Sequence, residues 1–295
     1  MTAIPLDTLN TADRATFLAA LGEVMEHSSW VAEGTFAKRP FASLAALYQA
    51  MTDTVRGAGE GRRLALIKAH PDLAGKAARE GKLTADSTAE QAGAGLDRLS
   101  DEEFAAFHRL NDAYHAKFGI PFIVCVRRHG KESILRQFAR RLENDTAAEH
   151  DAALTEIFRI AALRLDQKVS APDKLKVHGR LSTHVLDTHA GRPAADVAVE
   201  LCEIGTNGTA RILKRATTNA DGRTDPPLMA GTPIPIATYE LRFAVGDYFA
   251  RRNVPTTDPP FLGVVPVRFT VSEPEGGYHV PLVVTPWSYS TYRGS

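Results

Sequence analysis

Two cysteines, Cys125 and Cys202, lie far apart in a chain of 295 residues, which leaves no disulfide framework and too few thiolates for a structural zinc site. A reducing compartment is expected. No apolar run approaches the roughly 20 residues of a membrane span, and the opening MTAIPLDTLNTADR has no basic region leading into a long apolar one. These features predict a cytoplasmic protein without a membrane partner. Neither sign of charge is in excess, since 35 Lys and Arg face 35 Asp and Glu. With no net field to gather polyanions, nucleic acid is not an expected partner either. A glycine-rich phosphate loop is missing, and no cluster of Cys, His and carboxylates has metal-ligand spacing, so neither cofactor nor metal is expected. Small neutral or modestly anionic ligands remain. With 44% apolar and 24% charged residues the composition is that of an ordinary globular protein, and the length is about twice that of a typical domain, which predicts two.

Proline usage shows where the chain divides. Only Pro5, Pro40, Pro71 and Pro121 precede Lys168, whereas the remainder of the 17 lie from Pro172 onward. In the first part apolar residues recur at helical spacing: Phe17, Leu18, Leu21, Val24 and Met25, then Phe41, Leu44, Leu47, Tyr48, Met51 and Val55. Ser100 and Glu103 read as a capping box opening a helix through Phe104, Phe107, Leu110, Tyr114 and Phe118, which Gly119 and Pro121 end. Two further stripes, around Ile134 to Leu142 and Leu154 to Leu165, complete an all-α domain over residues 1–168. Beyond the QKVSAPDK connector the period drops to two, as in Leu175, Val177, Leu181 and Val185, and again from Val197, Tyr239, Val265 and Tyr278. Short strands without helix-length insertions predict an all-β antiparallel sandwich over residues 169–295.

Several polar constellations could carry chemistry. In AHPDLAGK, Pro71 disfavours α geometry at His70, which places the imidazole at a helix exit facing a cleft, or simply as a cap residue. STAEQAGAGL spaces Ser87 and Glu90 as a second capping box, with Gln91 beside them. GIPFIVCVR, with Phe122, Ile123 and Val124, is either buried extended chain with available backbone donors or core. Arg164, on the last helix, is either a solvated surface residue or a bidentate partner for a carboxylate.

HPDLAGK, the SxxEQ segment twenty residues beyond its histidine, and GIPFIVCVR together resemble 2-oxo-4-hydroxy-4-carboxy-5-ureidoimidazoline (OHCU) decarboxylase, over nearly all of residues 5–166. The resemblance implies an all-helical, cofactor-free enzyme in which His70 and Glu90 do the chemistry. Pro71, Ser87, Gln91, the backbone from Phe122 to Val124, and Arg164 would hold the urea-bearing ring and its carboxylate. Histidine suits proton movement near neutral pH.

In the β part, the period-two register turns His184 away from Leu181 and Val185, and His279 away from Val280 and Leu282. Both are surface residues unless a second subunit covers that face. Arg223 follows a turn signal in NADGRTD, and the chain finishes in PWSYSTYRGS, a run rich in aromatics and hydroxyls that invites docking rather than fraying. LSTHVLDTHAGRPA and YHVPLVVTPWSYSTYRGS closely resemble 5-hydroxyisourate hydrolase, the transthyretin-like enzyme, over residues 174–295. PLVVTP stands where that family usually has PLLLSP. The resemblance implies a catalytic set of His184, Arg223, His279 and Ser295, with Tyr292 and Arg293 near the substrate, at subunit interfaces of a homo-oligomer whose β domain is a dimer or tetramer.

The product of hydroxyisourate hydrolysis is the substrate of the decarboxylase. The two resemblances therefore imply one chain that converts 5-hydroxyisourate through OHCU to (S)-allantoin, a step of urate degradation. A transthyretin-like carrier fused to a helical interaction domain is the rival from another class, and a chain with one active domain and one scaffold is the second. The joint presence of His184, Arg223, His279 and YRGS speaks against the carrier.

Overall fold

The computed structural model describes residues 3–74 and 84–294. By contacts the chain forms two compact units, Met1–Arg127 with Ser133–Val177, and Arg128–Glu132 with His178–Ser295.

The first unit is helical, with α1 Leu6–Thr11, α2 Arg14–Leu21, α3 Ser29–Phe36, α4 Leu44–Arg56, α5 Glu60–Lys68, α6 Ala85–Gly93, α7 Asp101–Phe118, α8 Lys131–Arg141 and α9 Thr146–Lys168. The starts are set by side chains that satisfy orphan N–H groups: Asp13 accepts from Thr16, Ser43 from Ala46, and Asp145 from Ala148. The Ser100–Glu103 capping box forms as expected, and α7 ends at Gly119, whose φ of 65° is the left-handed conformation glycine adopts without penalty. Two expectations change. Helix α2 stops at Leu21, so Val24 and Met25 reach the core from the turns that follow. Ser87 is not a cap; Thr84 caps α6, which puts Ser87 in the first turn facing inward. Helix α9 is buried on several sides, through Leu154, Ile157, Ile160, Ala161 and Leu165 among others, and that position at the centre carries Arg164 into the interior. Around it pack Leu9, Phe17, Leu47, Met51, Phe107, Tyr114 and Phe138, each at most 1% exposed and each contributing about 1.5–3 kcal/mol of burial.

The second unit is a β-structure. One sheet orders β10 (Val264–Thr270), β9 (Thr238–Ala244), β6 (Ala198–Ile204) and β7 (Ala210–Thr217), all antiparallel. Two pairings depart from the antiparallel expectation: β3 (Arg180–Ser182) and β4 (Val185–Asp187) run parallel to β11 (Gly277–His279) and β12 (Leu282–Val284). Each of these pairs is one longer strand interrupted briefly, at Thr183–His184 and at Val280–Pro281, where proline has no N–H for the ladder. Hydrogen bonds from Val280 to Ser182 and from Leu282 to His184 carry the pairing across the gap. The last strand, β13 (Tyr289–Thr291), pairs antiparallel with β12. A short helix, α10 (Val245–Arg251), also interrupts the expected all-β run, burying Tyr248 and Phe249. Leu175 and Val177, expected in the first strand, are buried with the helical core instead.

Candidate active sites

His70 follows the C-terminal end of α5, and Pro71 turns the chain away, as the sequence predicts. Its Nδ1 lies 3.0 Å from the Leu66 carbonyl. A carbonyl only accepts, so Nδ1 carries the hydrogen and Nε2 bears the lone pair. That Nε2 is buried and has no hydrogen-bond partner among the described residues. Burial pushes the imidazole down to about 4, against the Leu66 hydrogen bond and the charge of Glu26. His70 is therefore neutral near pH 7, a base presenting Nε2.

The histidine lines a small pocket with Pro71, Ser87, Glu90, Gln91, Phe122, Ile123, Val124 and Arg164, among others. All the residues expected in the helical site thus line one pocket. Arg164 is 2% exposed, not a surface residue. Its Nε and Nη2 grip the two oxygens of Glu90 at 3.0 and 2.9 Å, and Nη1 reaches Glu26 at 2.8 Å. Burial opposes the guanidinium charge, yet the two carboxylates outweigh it and raise its proton affinity. Gln91 accepts from the Ala74 N–H, fixing the chain just beyond His70. Gly75 and Lys76, the last residues of HPDLAGK, lie outside the described residues.

Glu26 was not among the expected residues. It is buried, accepting from the hydroxyls of Thr84 at 2.6 Å and Ser87 at 3.0 Å and from Arg164. Burial works against its charge, but Thr84 and Arg164 together hold the carboxyl below its ordinary range. The sequence signal was an acidic residue directly behind the buried Val24 and Met25.

In the β unit, His184 and His279 are both half-buried, and Arg223 pairs with His184 across an isolated bridge. The turn that presents Arg223 is closed by Asn219, whose Oδ1 accepts from the N–H groups of Asp221 and Arg223, and by Gly222 at φ 71°, where a Cβ would lie 2.3 Å from the Val185 carbonyl. Desolvation, then the Arg223 charge, lowers both histidines; Arg180 adds to this at His279. Ser182, a second residue not expected, places its Oγ 3.0 Å from His279 Nδ1. The tail lies along the sheet through β13, and Gly294 donates to the His279 carbonyl at 2.8 Å. Arg293 sits over the Tyr278 ring and Tyr292 is exposed. Ser295 lies outside the described residues.

Comparison with known proteins separates along the same line. Residues 10–166 match the OHCU decarboxylase family and residues 181–294 the HIUase/Transthyretin family. A 5-hydroxyisourate hydrolase of Deinococcus radiodurans is 57% identical over 118 residues, 40% of this chain and 98% of that protein. The chain belongs to both families. The decarboxylase half is 41% identical to a 2-oxo-4-hydroxy-4-carboxy-5-ureidoimidazoline decarboxylase of Halalkalicoccus jeotgali over 167 residues, 57% of this chain and 93% of that one. A solved structure described as (S)-allantoin synthase covers 99% of this chain and is itself covered in full, at 32% identity and a TM-score of 0.51. The protein is thus a fused 5-hydroxyisourate hydrolase and OHCU decarboxylase of urate degradation.

Proposed function

We propose that His70 and Glu90 catalyse decarboxylation of OHCU in the helical domain, residues 1–168, and that His184, Arg223, His279 and Ser295 catalyse hydrolysis of 5-hydroxyisourate in the β domain, residues 169–295. The observation that carries the first assignment is the Nε2 of a neutral His70, unpartnered among the described residues, in the same pocket lining as Arg164 and Glu90. The substrate carboxylate takes the Nε/Nη2 edge of Arg164. Glu90, whose side chain is 14% exposed against 2% for Glu26, is the partner that gives way. The bond to the carboxylate breaks, carbon dioxide leaves, and its electron pair passes into the adjoining ring. His70 Nε2 takes the proton of the substrate hydroxyl as it becomes a carbonyl and returns that proton to the ring carbon on one face, while a proton from water neutralises the ring nitrogen that received the electron pair. Ser87 and Gln91 hold the ureido group together with the backbone of Phe122 to Val124.

In the β domain a neutral histidine accepts a proton from water as the water oxygen attacks the ring carbonyl, and returns it to the ring nitrogen as the carbon–nitrogen bond breaks. Arg223 stabilises the oxygen that gains charge. Tyr292 and Arg293 of the tail complete the pocket. Trp287, Tyr289 and Tyr292 are 46–58% exposed on and beside the edge strand β13, an arrangement that a second copy of the chain would cover; this supports a homo-oligomer, dimer or tetramer through the β domain, with small-molecule substrates as its ligands. Separate substitutions test the assignment. His70→Ala is expected to abolish accelerated OHCU decarboxylation with hydroxyisourate loss still fast, and His184→Ala to do the reverse; a joint loss from either substitution would refute two separate sites.

A further inference from the structure

Residues 121–125 pass beside the cavity outside any helix or strand, with Phe122, Ile123, Val124 and Cys125 at most 3% exposed. Buried irregular backbone must place each N–H and C=O somewhere. Two of these groups are taken by charged side chains that do not line the cavity. Arg141 Nη1 donates to the Ile123 carbonyl, and Glu156 Oε2 accepts from the Cys125 N–H at 2.9 Å. Both peptide bonds flanking Val124 are trans. In a trans peptide plane the C=O and the following N–H point opposite ways. Pinning the Ile123 carbonyl on Arg141 therefore turns the Val124 N–H away from Arg141, and pinning the Cys125 N–H on Glu156 turns the Val124 carbonyl away from Glu156. Val124 is on the cavity wall, and among the described residues neither of these two groups makes a hydrogen bond.

We propose that Arg141 and Glu156 are positioning residues of the decarboxylase, fixing the peptide planes on either side of Val124 so that its N–H and C=O face the substrate as a donor–acceptor pair for an amide edge of the ring. The inference rests on the assignment of this cavity as the decarboxylase site. Arg141 is itself held rigidly: its Nε donates to Glu149 at 2.8 Å, its Nη2 to the Tyr114 hydroxyl at 3.2 Å, and its guanidinium lies 4.7 Å from the Phe122 ring centroid. Glu149 is fully buried and also accepts from Asn144 at 2.8 Å. A buried ion pair of this kind adds little net stability over apolar residues of similar volume, so folding alone gives it no purpose. Its Nη1 bond to Ile123 does.

The same property supplies the test. Arg141→Met with Glu149→Leu, made in a Tyr114→Phe background so that no buried hydroxyl is stranded, replaces the pair by apolar residues and removes the bond to Ile123. Glu156→Leu removes the bond to Cys125, leaving Arg159, 44% exposed, free to turn to water. Glu156→Gln keeps an acceptor. Thermal unfolding, kcat and KM for OHCU, and the circular dichroism of the allantoin formed are measured on the full chain. For the first two variants we expect near-native unfolding, a KM raised roughly tenfold or more from loss of an ordered hydrogen-bonding pair, and a lower proportion of the S enantiomer. Glu156→Gln restores most of both. If the double variant does not fold, the contrast between Glu156→Leu and Glu156→Gln decides. Folded variants with wild-type KM and undiminished enantiomeric purity would overturn the proposal. His70→Ala run in parallel separates the two failures: if it stays active the cavity itself is misassigned, and if it is dead while the Arg141 variant is normal, only the positioning role is lost.

Discussion

Glu26→Ala is the substitution whose consequence the structure fixes most tightly. The carboxylate accepts from Thr84 at 2.6 Å, Ser87 at 3.0 Å and Arg164 at 2.8 Å, and its side chain is 2% exposed. Truncation leaves the buried Arg164 Nη1 with the Glu23 and Val24 carbonyls at 3.5 Å and no carboxylate, and among the described residues its other anionic partner, Glu90, is on the opposite edge. Removing one member of a buried ion pair costs about 3–5 kcal/mol. At about 2–4 °C per kcal/mol for a domain of this size, the helical transition falls by on the order of 10 °C. Glu26→Gln is milder for a specific reason. Its amide oxygen can face Arg164 while its nitrogen donates to the Thr84 and Ser87 oxygens, so the loss is that of charge assistance, about 1–2 kcal/mol. Unfolding followed by far-ultraviolet circular dichroism on the full chain gives both numbers, and OHCU decarboxylation should fall in both variants with hydroxyisourate hydrolysis retained. An alanine variant that melts within about 2 °C of wild type, or that loses no more than the glutamine variant, would refute the reasoning.

Acid should weaken the helical unit through His70, whose folded-state value of about 4 lies below the ordinary 6.5. The stability this neutral histidine permits is complete above pH 6.5 and declines as pH falls towards 4, so between pH 7.5 and pH 5 the wild type loses about 2 kcal/mol more than His70→Asn; equal losses in urea titrations would contradict this. Deleting Tyr292 to Ser295 should remove hydroxyisourate hydrolysis and spare decarboxylation of supplied OHCU, and a bulky C-terminal tag should act the same way; full hydrolase activity in the truncated chain would show that the tail is dispensable. Dialysis against a strong chelator should leave both rates unaltered, and a loss that zinc or manganese restores would overturn the metal-free mechanism.

Much of this molecule was legible in the order of its residues, because local rules write themselves into periodicity. The capping box at Ser100 and the stop at Gly119 follow from spacing alone. What spacing does not carry is which chain lies beside which. The parallel pairing of the Arg180 and Gly277 strands is a property of topology, since the alternation along each strand is the same whether its neighbour runs with it or against it. Ser87 was assigned as a cap because Glu90 stands three residues on; Thr84 takes that place, and Ser87 is drawn inward by Glu26. Arg164 could not be distinguished from a surface arginine until α9 was seen at the centre of the helices. The low proton affinity of His70 depends on burial by segments distant in sequence. Glu26 was hidden similarly: its partners Thr84, Ser87 and Arg164 are 58, 61 and 138 positions away.

The central claim is that one chain carries both reactions in succession. Adding freshly generated 5-hydroxyisourate to the full-length protein and following ultraviolet absorbance and circular dichroism together tests it directly. The account predicts rapid loss of the substrate absorbance, a transient from OHCU, and a lasting dichroic signal of (S)-allantoin. Rapid absorbance loss that leaves a slowly fading intermediate and an optically inactive product would contradict it, as would a substrate decay no faster than in buffer.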